Sequence, residues 1–264
     1  GAQLPAVIVD VMRAGPNLGT IGPSQSDYFQ ATRGGGHGDY RTVVLAPCSI
    51  QETVDLMQEA FDIADQYRNP VILLADGMIG QMMEPIEWHD IPKRELPEKT
   101  WATDGHDNKV SHRTISAVFG DNYVCEEVLN KPLAAKYRLI AANEVRYEEK
   151  DTADAEVVLV AYGTMSRVSE RACEILREQG VRAGLFRPIV LWPYPEARLH
   201  ELAAQEQTKC FLSVEMSDGQ MIDDVRISVA GQKPVSFVGR NGGVVPTPDE
   251  IVDAVKKALA EVKA

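Results

Sequence analysis

Basic side chains are the scarce class in this 264-residue sequence: 27 Lys and Arg stand against 39 Asp and Glu, a net charge of −12. A surface with that excess repels phosphate backbones, so no nucleic acid is expected among its partners. Long apolar runs are missing too, since none approaches the ~20 residues of a membrane-spanning helix, and no membrane association is expected. The opening Gly1-Ala2-Gln3-Leu4-Pro5 has neither the basic nor the apolar region of a secretory signal. Cysteine is confined to Cys48, Cys125, Cys173 and Cys210, too widely spaced for a zinc knuckle or an iron–sulfur loop. The expectation is a reduced, cytoplasmic protein whose thiols act as small apolar side chains. Also absent are a Gly-x-Ser-x-Gly elbow, a His-Glu-x-x-His helix and a Walker lysine.

What is present is alternation of strand and helix. Ala6-Val7-Ile8-Val9-Asp10-Val11 is a nearly unbroken β-branched run that reads as a strand buried on both faces. It ends in the Gly- and Pro-rich loop Arg13 to Pro23, after which Ser24 caps a short helix to about Thr32. The cluster Gly34-Gly35-Gly36-His37-Gly38 leads into the strand Thr42 to Leu45. Ser49-Ile50-Gln51-Glu52 reads as a capping box, opening a helix with an apolar stripe at Ile50, Val54, Met57, Phe61 and Ala64. Val71 to Ala75 is the next buried strand, and this order is that of a parallel α/β sheet.

Residues 84–120 are polar and aperiodic, an excursion with room for a hairpin. Helical spacing returns from Asn122 to Glu149, with Pro132 as a break or kink. A second α/β unit begins near Ala155. Its strands are expected at Glu156 to Ala161, Val181 to Phe186, Cys210 to Val214 and Val235 to Val238. Helices are expected from Ser166 to Gln179, Glu196 to Gln205 and Gln220 to Ala230, with a last one opened by the capping Thr247. The expected division is 1–83, 84–154 and 155–264. Three strands before the excursion are few for a doubly wound domain, so the sequence reads as the C-terminal part of something longer.

Arg13 stands at the carboxyl end of a buried strand, where parallel α/β folds collect ligands. Its guanidinium either forks onto a ligand carboxylate or pairs with a structural acid. His37 is either a titrating group or a surface histidine. Asp76 projects from the same sheet edge as Arg13, as a site residue or a turn aspartate. The loops Glu215 to Met221 and Gly239 to Gly243 follow later strands and read as packing or interface segments.

Val9 to Thr20, with Gly35-Gly36-His37-Gly38-Asp39, Leu45-Ala46-Pro47, Pro70 to Asp76, Asn143 to Tyr147, Val214-Glu215-Met216, Gly219-Gln220-Met221 and Gly242-Gly243, resembles the α subunit of 2-oxoacid:ferredoxin oxidoreductases. The resemblance runs in order through nearly all of the chain. Ile21 to Gln25, Tyr28 to Thr32 and Gly77 to Met83 are most similar to the 2-ketoisovalerate (3-methyl-2-oxobutanoate) branch.

The resemblance implies part of a thiamine-diphosphate pyrimidine-type domain followed by a transketolase-C-like α/β domain. It implies oxidative decarboxylation of a 2-oxoacid with coenzyme A as co-substrate and electrons passed to ferredoxin. Thiamine diphosphate with Mg2+ would be shared with a β subunit and not held by this chain alone. Iron–sulfur clusters would sit only in the β, γ or other partner chains, and this chain would supply no metal ligand. Arg13 would bind the substrate carboxylate, within a substrate-binding loop that includes Asn17 and Leu18. Thr20, His37 and Asp76 stand as site or interface positions. A cofactor-protonating glutamate and a threonine-bearing substrate loop of the family are not found, which again implies N-terminal truncation and no catalytic residue here. An apolar Leu18, where some relatives carry Thr or Ser, fits a branched aliphatic tail. Two other readings stay open: a non-catalytic transketolase-C-like assembly module, and the β subunit of a lipoamide-linked 2-oxoacid dehydrogenase.

Overall fold

The computed structural model describes residues 1–103, 105 and 113–263, and contains two sheets. The first has the order β1-β3-β2-β7, from Ala6–Met12, Pro70–Asp76, Val43–Leu45 and Val190–Trp192. The first three are parallel and β7 runs antiparallel to β2. The second sheet has the order β4-β6-β5-β8-β9, from Tyr147–Lys150, Ala183–Pro188, Val157–Val160, Cys210–Glu215 and Val235–Gly239. Only its edge strand β4 is antiparallel. The α/β architecture with parallel sheets is the one expected from the strand–helix alternation.

The chain passes between the sheets three times, from β3 to β4, from β6 to β7 and from β7 to β8. β4 lies within 84–154 and joins the second sheet. β7 follows β6 after one residue, Ile189, and joins the first. A core made by both sheets results, with Met12, Val44 and Leu74 from one and Val158, Val160 and Phe211 from the other. Outside it, α2 (Ile50–Tyr67) covers the far face of the first sheet. The helices α5 (Gly163–Glu178) and α8 (Pro248–Lys263) cover that of the second.

Several elements differ from expectation. β1 is an edge strand, with Ile8, Val9 and Val11 each about half exposed instead of buried on both faces. A β-branched run specifies extension, while the number of neighbours is a tertiary matter. On α2 the buried stripe is Leu56, Ala60, Ile63, Ala64 and Tyr67, and Phe61 faces solvent. The helix carries apolar residues on two adjacent stripes and the sheet covers one. Ser49 accepts from the Glu52 N–H at 3.1 Å, but Glu52 reaches the Cys48 N–H at 2.7 Å, so only half of the capping box forms. At Thr247 the reciprocal box is complete, with Glu250 accepting from the Thr247 N–H at 2.8 Å.

The short α1 spans Tyr28–Arg33 and starts four residues after Ser24, without a side-chain cap. The 122–149 segment is not one helix. It comprises α3 (Asn122–Cys125), a π turn (Glu126–Asn130), α4 (Lys131–Asn143) and then β4. Pro132 directly follows the π turn in a run that stays helical from α3 into α4, where its missing N–H interrupts the hydrogen-bond ladder, so it perturbs the helix without ending it. Among the described residues of 84–120 there is no hairpin. That stretch lies along α2, held by Gln51 to Glu87, by Lys99 to Asp65, and by Arg94, whose Nη2 donates to the buried Glu144 at 2.8 Å. The second-half helices α6 (Glu196–Ala204) and α7 (Met221–Val229) follow the expected order. Cys173 and Cys210 are buried, and burial pushes their thiols up to about 12 and about 11.

Candidate functional site

β1 ends at Met12, and the following loop folds back on itself. The Ala14 N–H donates to the Gly22 carbonyl and the Thr20 N–H to the Ala14 carbonyl, both at 3.0 Å, while Arg13 bridges to Pro23. Gly19 has φ +55, and a Cβ there would lie 1.9 Å from the Ala14 oxygen, so the turn requires glycine. Arg13 is drawn over the loop it opens. Its Nη1 donates to the Leu18 carbonyl and its Nη2 to the Asn17 carbonyl at 3.5 Å. Among the described residues Arg13 forms no ion pair.

The second half of the chain closes on this loop. Thr20 Oγ1 donates to the Gly242 carbonyl at 3.4 Å, and a Cβ on Gly22 would meet the Gly243 Cα at 2.7 Å. Gln25 is fully buried, donates through Nε2 to the Tyr162 carbonyl and accepts from the Met216 N–H. Gln220 donates to the Ser26 carbonyl at 2.6 Å and accepts from the Phe29 N–H at 2.8 Å. Between these contacts lies a cavity of about 480 Å3 lined by Arg13, Asn17, Ser26, Asp27, Asp218, Gln220 and Asn241. Burial raises the Asp27 carboxyl, and the Arg13 charge partly offsets it. Asn241 donates to Asp218 at 2.7 Å across the far wall.

Of the sequence-derived candidates, Arg13 and Asn17 line the cavity, while Leu18 and Thr20 lie in the same loop but are not among its lining residues. The Leu18 side chain is 81% exposed. His37 is not among the residues lining the cavity and makes no hydrogen bond or ion pair with the described residues. Asp76 is buried and committed elsewhere. Its Oδ1 accepts from Thr164 Oγ1 at 2.8 Å and from the Met78 N–H at 2.9 Å, and its Oδ2 accepts from the Thr164 N–H. It therefore caps the start of α5 from the other sheet, an interface role.

The residues that close the cavity lie in loops read from the sequence as packing or interface segments. Asp218, Gln220 and Asn241 stand in loops after β8 and β9, and the parallel-sheet rule applied to Arg13 applies equally there. Glu215 heads the loop expected to be a packing segment, and it has that role. It is fully buried and accepts from Ser213 Oγ, Ser217 Oγ and the N–H groups of Gln220, Met221 and Ile222, all between 2.8 and 3.0 Å. This carboxylate is the anion of the α7 N-terminus and fixes the loop that carries Asp218 and Gln220.

Two mostly parallel α/β sheets, with strand-end loops of both meeting beside Arg13, define the class as a two-unit α/β protein. The model described as "Pyruvate flavodoxin/ferredoxin oxidoreductase, thiamine diP-bdg" matches residues 1–152, and "Pyruvate:ferredoxin oxidoreductase core domain II" matches residues 155–251. The ketoisovalerate oxidoreductase subunit VorB of Methanothermobacter marburgensis is 47% identical over 261 residues, covering 99% of this chain and 73% of the relative. The 2-oxoglutarate synthase subunit KorA of the same organism is 34% identical, covering 96% and 73%. The solved 2-oxoglutarate:ferredoxin oxidoreductase from Magnetococcus marinus shares the fold, with a TM-score of 0.77 and 22% identity over 98% of this chain and 49% of that one. The chain belongs to the pyruvate flavodoxin/ferredoxin oxidoreductase family, as its resemblance implied.

Proposed function

We propose that the chain is an α-type subunit of a 2-oxoacid:ferredoxin oxidoreductase that decarboxylates 3-methyl-2-oxobutanoate with coenzyme A, and that Arg13 holds the substrate carboxylate. The supporting observation is that Arg13, at a strand end beside a cavity, is held among the described residues by backbone carbonyls and has no carboxylate partner there. This favours the ligand-binding alternative over pairing with a structural acid. Asn17 and Leu18 orient the guanidinium through their carbonyls. The exposed Leu18 side chain suits a branched aliphatic tail, and the VorB relatives, named ketoisovalerate oxidoreductase subunits, support that oxoacid.

Thiamine diphosphate supplies the carbanion chemistry in enzymes of this kind. The cavity beside Arg13 does not fit its diphosphate end, because Asp27 and Asp218 line it against a single guanidinium. Nor do three metal-ligating side chains cluster among the described residues. On this reading the diphosphate and Mg2+ rest on a β subunit, and iron–sulfur partner chains carry electrons to ferredoxin in the cytoplasm. Among the described residues no helix is long and apolar enough to cross a membrane.

The test is reduction of ferredoxin or viologen by the complex reconstituted with its β and iron–sulfur subunits. Reduction that requires both 3-methyl-2-oxobutanoate and coenzyme A is expected. Acyl transfer to lipoamide in its place would favour a lipoamide-linked dehydrogenase. Turnover indifferent to the loss of Arg13 would favour an assembly module.

A further inference from the structure

The cavity beside Arg13 is unevenly charged. One guanidinium, Arg13, faces two carboxylates, Asp27 and Asp218, and the other lining residues are uncharged. Neither carboxylate forms an ion pair with the described residues. Asp10 stands close enough to Asp27 for the two charges to oppose each other, which adds negative charge behind that wall. Arg240, next in sequence to Asn241, does not offset it, because its Nε donates to Glu250 at 2.9 Å.

Asp218 is held at the far wall from two sides. Its Oδ1 accepts from Asn241 Nδ2 at 2.7 Å. The residues around it are anchored to the buried Glu215, which accepts from Ser217 Oγ at 2.8 Å and from the Gln220 N–H at 2.9 Å. The carboxylate is thus fixed by its own loop and by the loop after β9.

A cavity of about 480 Å3 is about 8 Å across, no wider than the ~8–10 Å over which physiological salt screens a charge. With a first carboxylate on Arg13, a second one anywhere inside finds no cation and is repelled by Asp27 and Asp218. An uncharged aliphatic tail meets no such repulsion. Size does not make this choice, since the space holds either tail.

We propose that Asp218, together with Asp27, is a charge filter that admits 2-oxoacids with one carboxylate and rejects those with two. This rests on the reading of Arg13 as the carboxylate anchor. It adds the physical basis on which an aliphatic oxoacid is taken in preference to a dicarboxylic one.

The test is steady-state kinetics of the reconstituted complex with 2-oxohexanoate and 2-oxoglutarate, which have similar reach and differ in the terminal carboxylate. Wild type should favour 2-oxohexanoate at least ~10-fold in kcat/KM, and the preference should narrow as salt rises from about 0.05 to about 0.5 M. Asp218→Asn keeps an acceptor for Asn241 and removes the charge, so kcat/KM for 2-oxoglutarate relative to 2-oxohexanoate should rise about fivefold. Asp27→Asn should move the same ratio in the same direction, and circular dichroism identifies which variants are folded. A wild type that prefers 2-oxoglutarate overturns the proposal. So does a ratio that neither salt nor a folded variant changes. Turnover of both oxoacids that is indifferent to Arg13→Ala is a separate result, which removes the anchor and the filter with it.

Discussion

Glu52 and Arg187 join the two halves of the chain through a bidentate pair, Nη1 and Nη2 donating to the two carboxylate oxygens at 2.9 and 2.8 Å. The arginine is 4% exposed and also donates to Glu148 at 3.0 Å. Burial alone would raise the Glu52 carboxyl, but the hydrogen bonds and charge of Arg187 outweigh it and hold the group below the usual glutamate range. Glu52→Gln leaves a buried guanidinium short of one partner and should cost about 3 kcal/mol in urea unfolding at neutral pH. Because the folded value is the lower one, this contribution is present above the usual glutamate range. It is lost as pH falls through the depressed value, so wild type and variant should converge in acid. A gap constant at every pH would refute the assignment.

Glu215→Gln tests the buried cap of α7. The amide retains one acceptor oxygen and turns an NH2 toward N–H donors that the second carboxylate oxygen had satisfied. A loss of about 2–4 kcal/mol is expected from denaturant midpoints. A variant within experimental error of wild type would show that the loop is held by other contacts.

Lys136 gives an opposite pH signature. Burial, with the nearby Arg68 charge, pushes its amine down to about 8 in the folded chain, below the unfolded value, so the unfolded chain binds the proton more tightly between the two. The stability of wild type relative to Lys136→Met should therefore rise from neutrality to about pH 9. Tm measured across that range for both proteins checks the sign, and a falling difference would exclude a desolvated amine.

On the proposed role of Arg13, Arg13→Ala in the assembled enzyme would remove a charge-assisted contact to the substrate carboxylate worth roughly 1.5–3 kcal/mol, so kcat/KM should fall about 10- to 150-fold. Arg13→Lys should recover little, because an ammonium cannot reproduce the fork. The loss should be similar for 3-methyl-2-oxobutanoate, pyruvate and 2-oxoglutarate, which share the carboxylate. Wild-type kcat/KM for all three with a folded variant would make Arg13 structural.

Leu18→Thr should reorder these substrates instead of slowing all of them. One methylene of apolar contact is worth about 1–3 kcal/mol, and the rate with the best substrate should stay within about tenfold. Steady-state kinetics with the same three oxoacids decides it. An unchanged ranking would remove Leu18 from the specificity determinants.

Local chemistry made much of this protein legible from its sequence. The β-branched runs became strands, the cap at Thr247 formed in full, and Arg13 lay at a strand end as its position in the alternation implied. These features depend on residues within a few positions of one another, whose sterics and hydrogen bonds the sequence specifies directly. The resemblance, spread over the whole chain, carried the family. Pairing partners were decided only by the tertiary structure. That Val9 and Val11 lie on a half-exposed edge, that Val190–Trp192 leaves its own unit to join the first sheet, and that Asp76 caps a helix 87 residues away at Gly163 all follow from long-range closure. The same closure brings Asp218, Gln220 and Asn241 opposite Arg13. Periodicity records which residues avoid water; which surface shields them is a property of the folded chain as a whole.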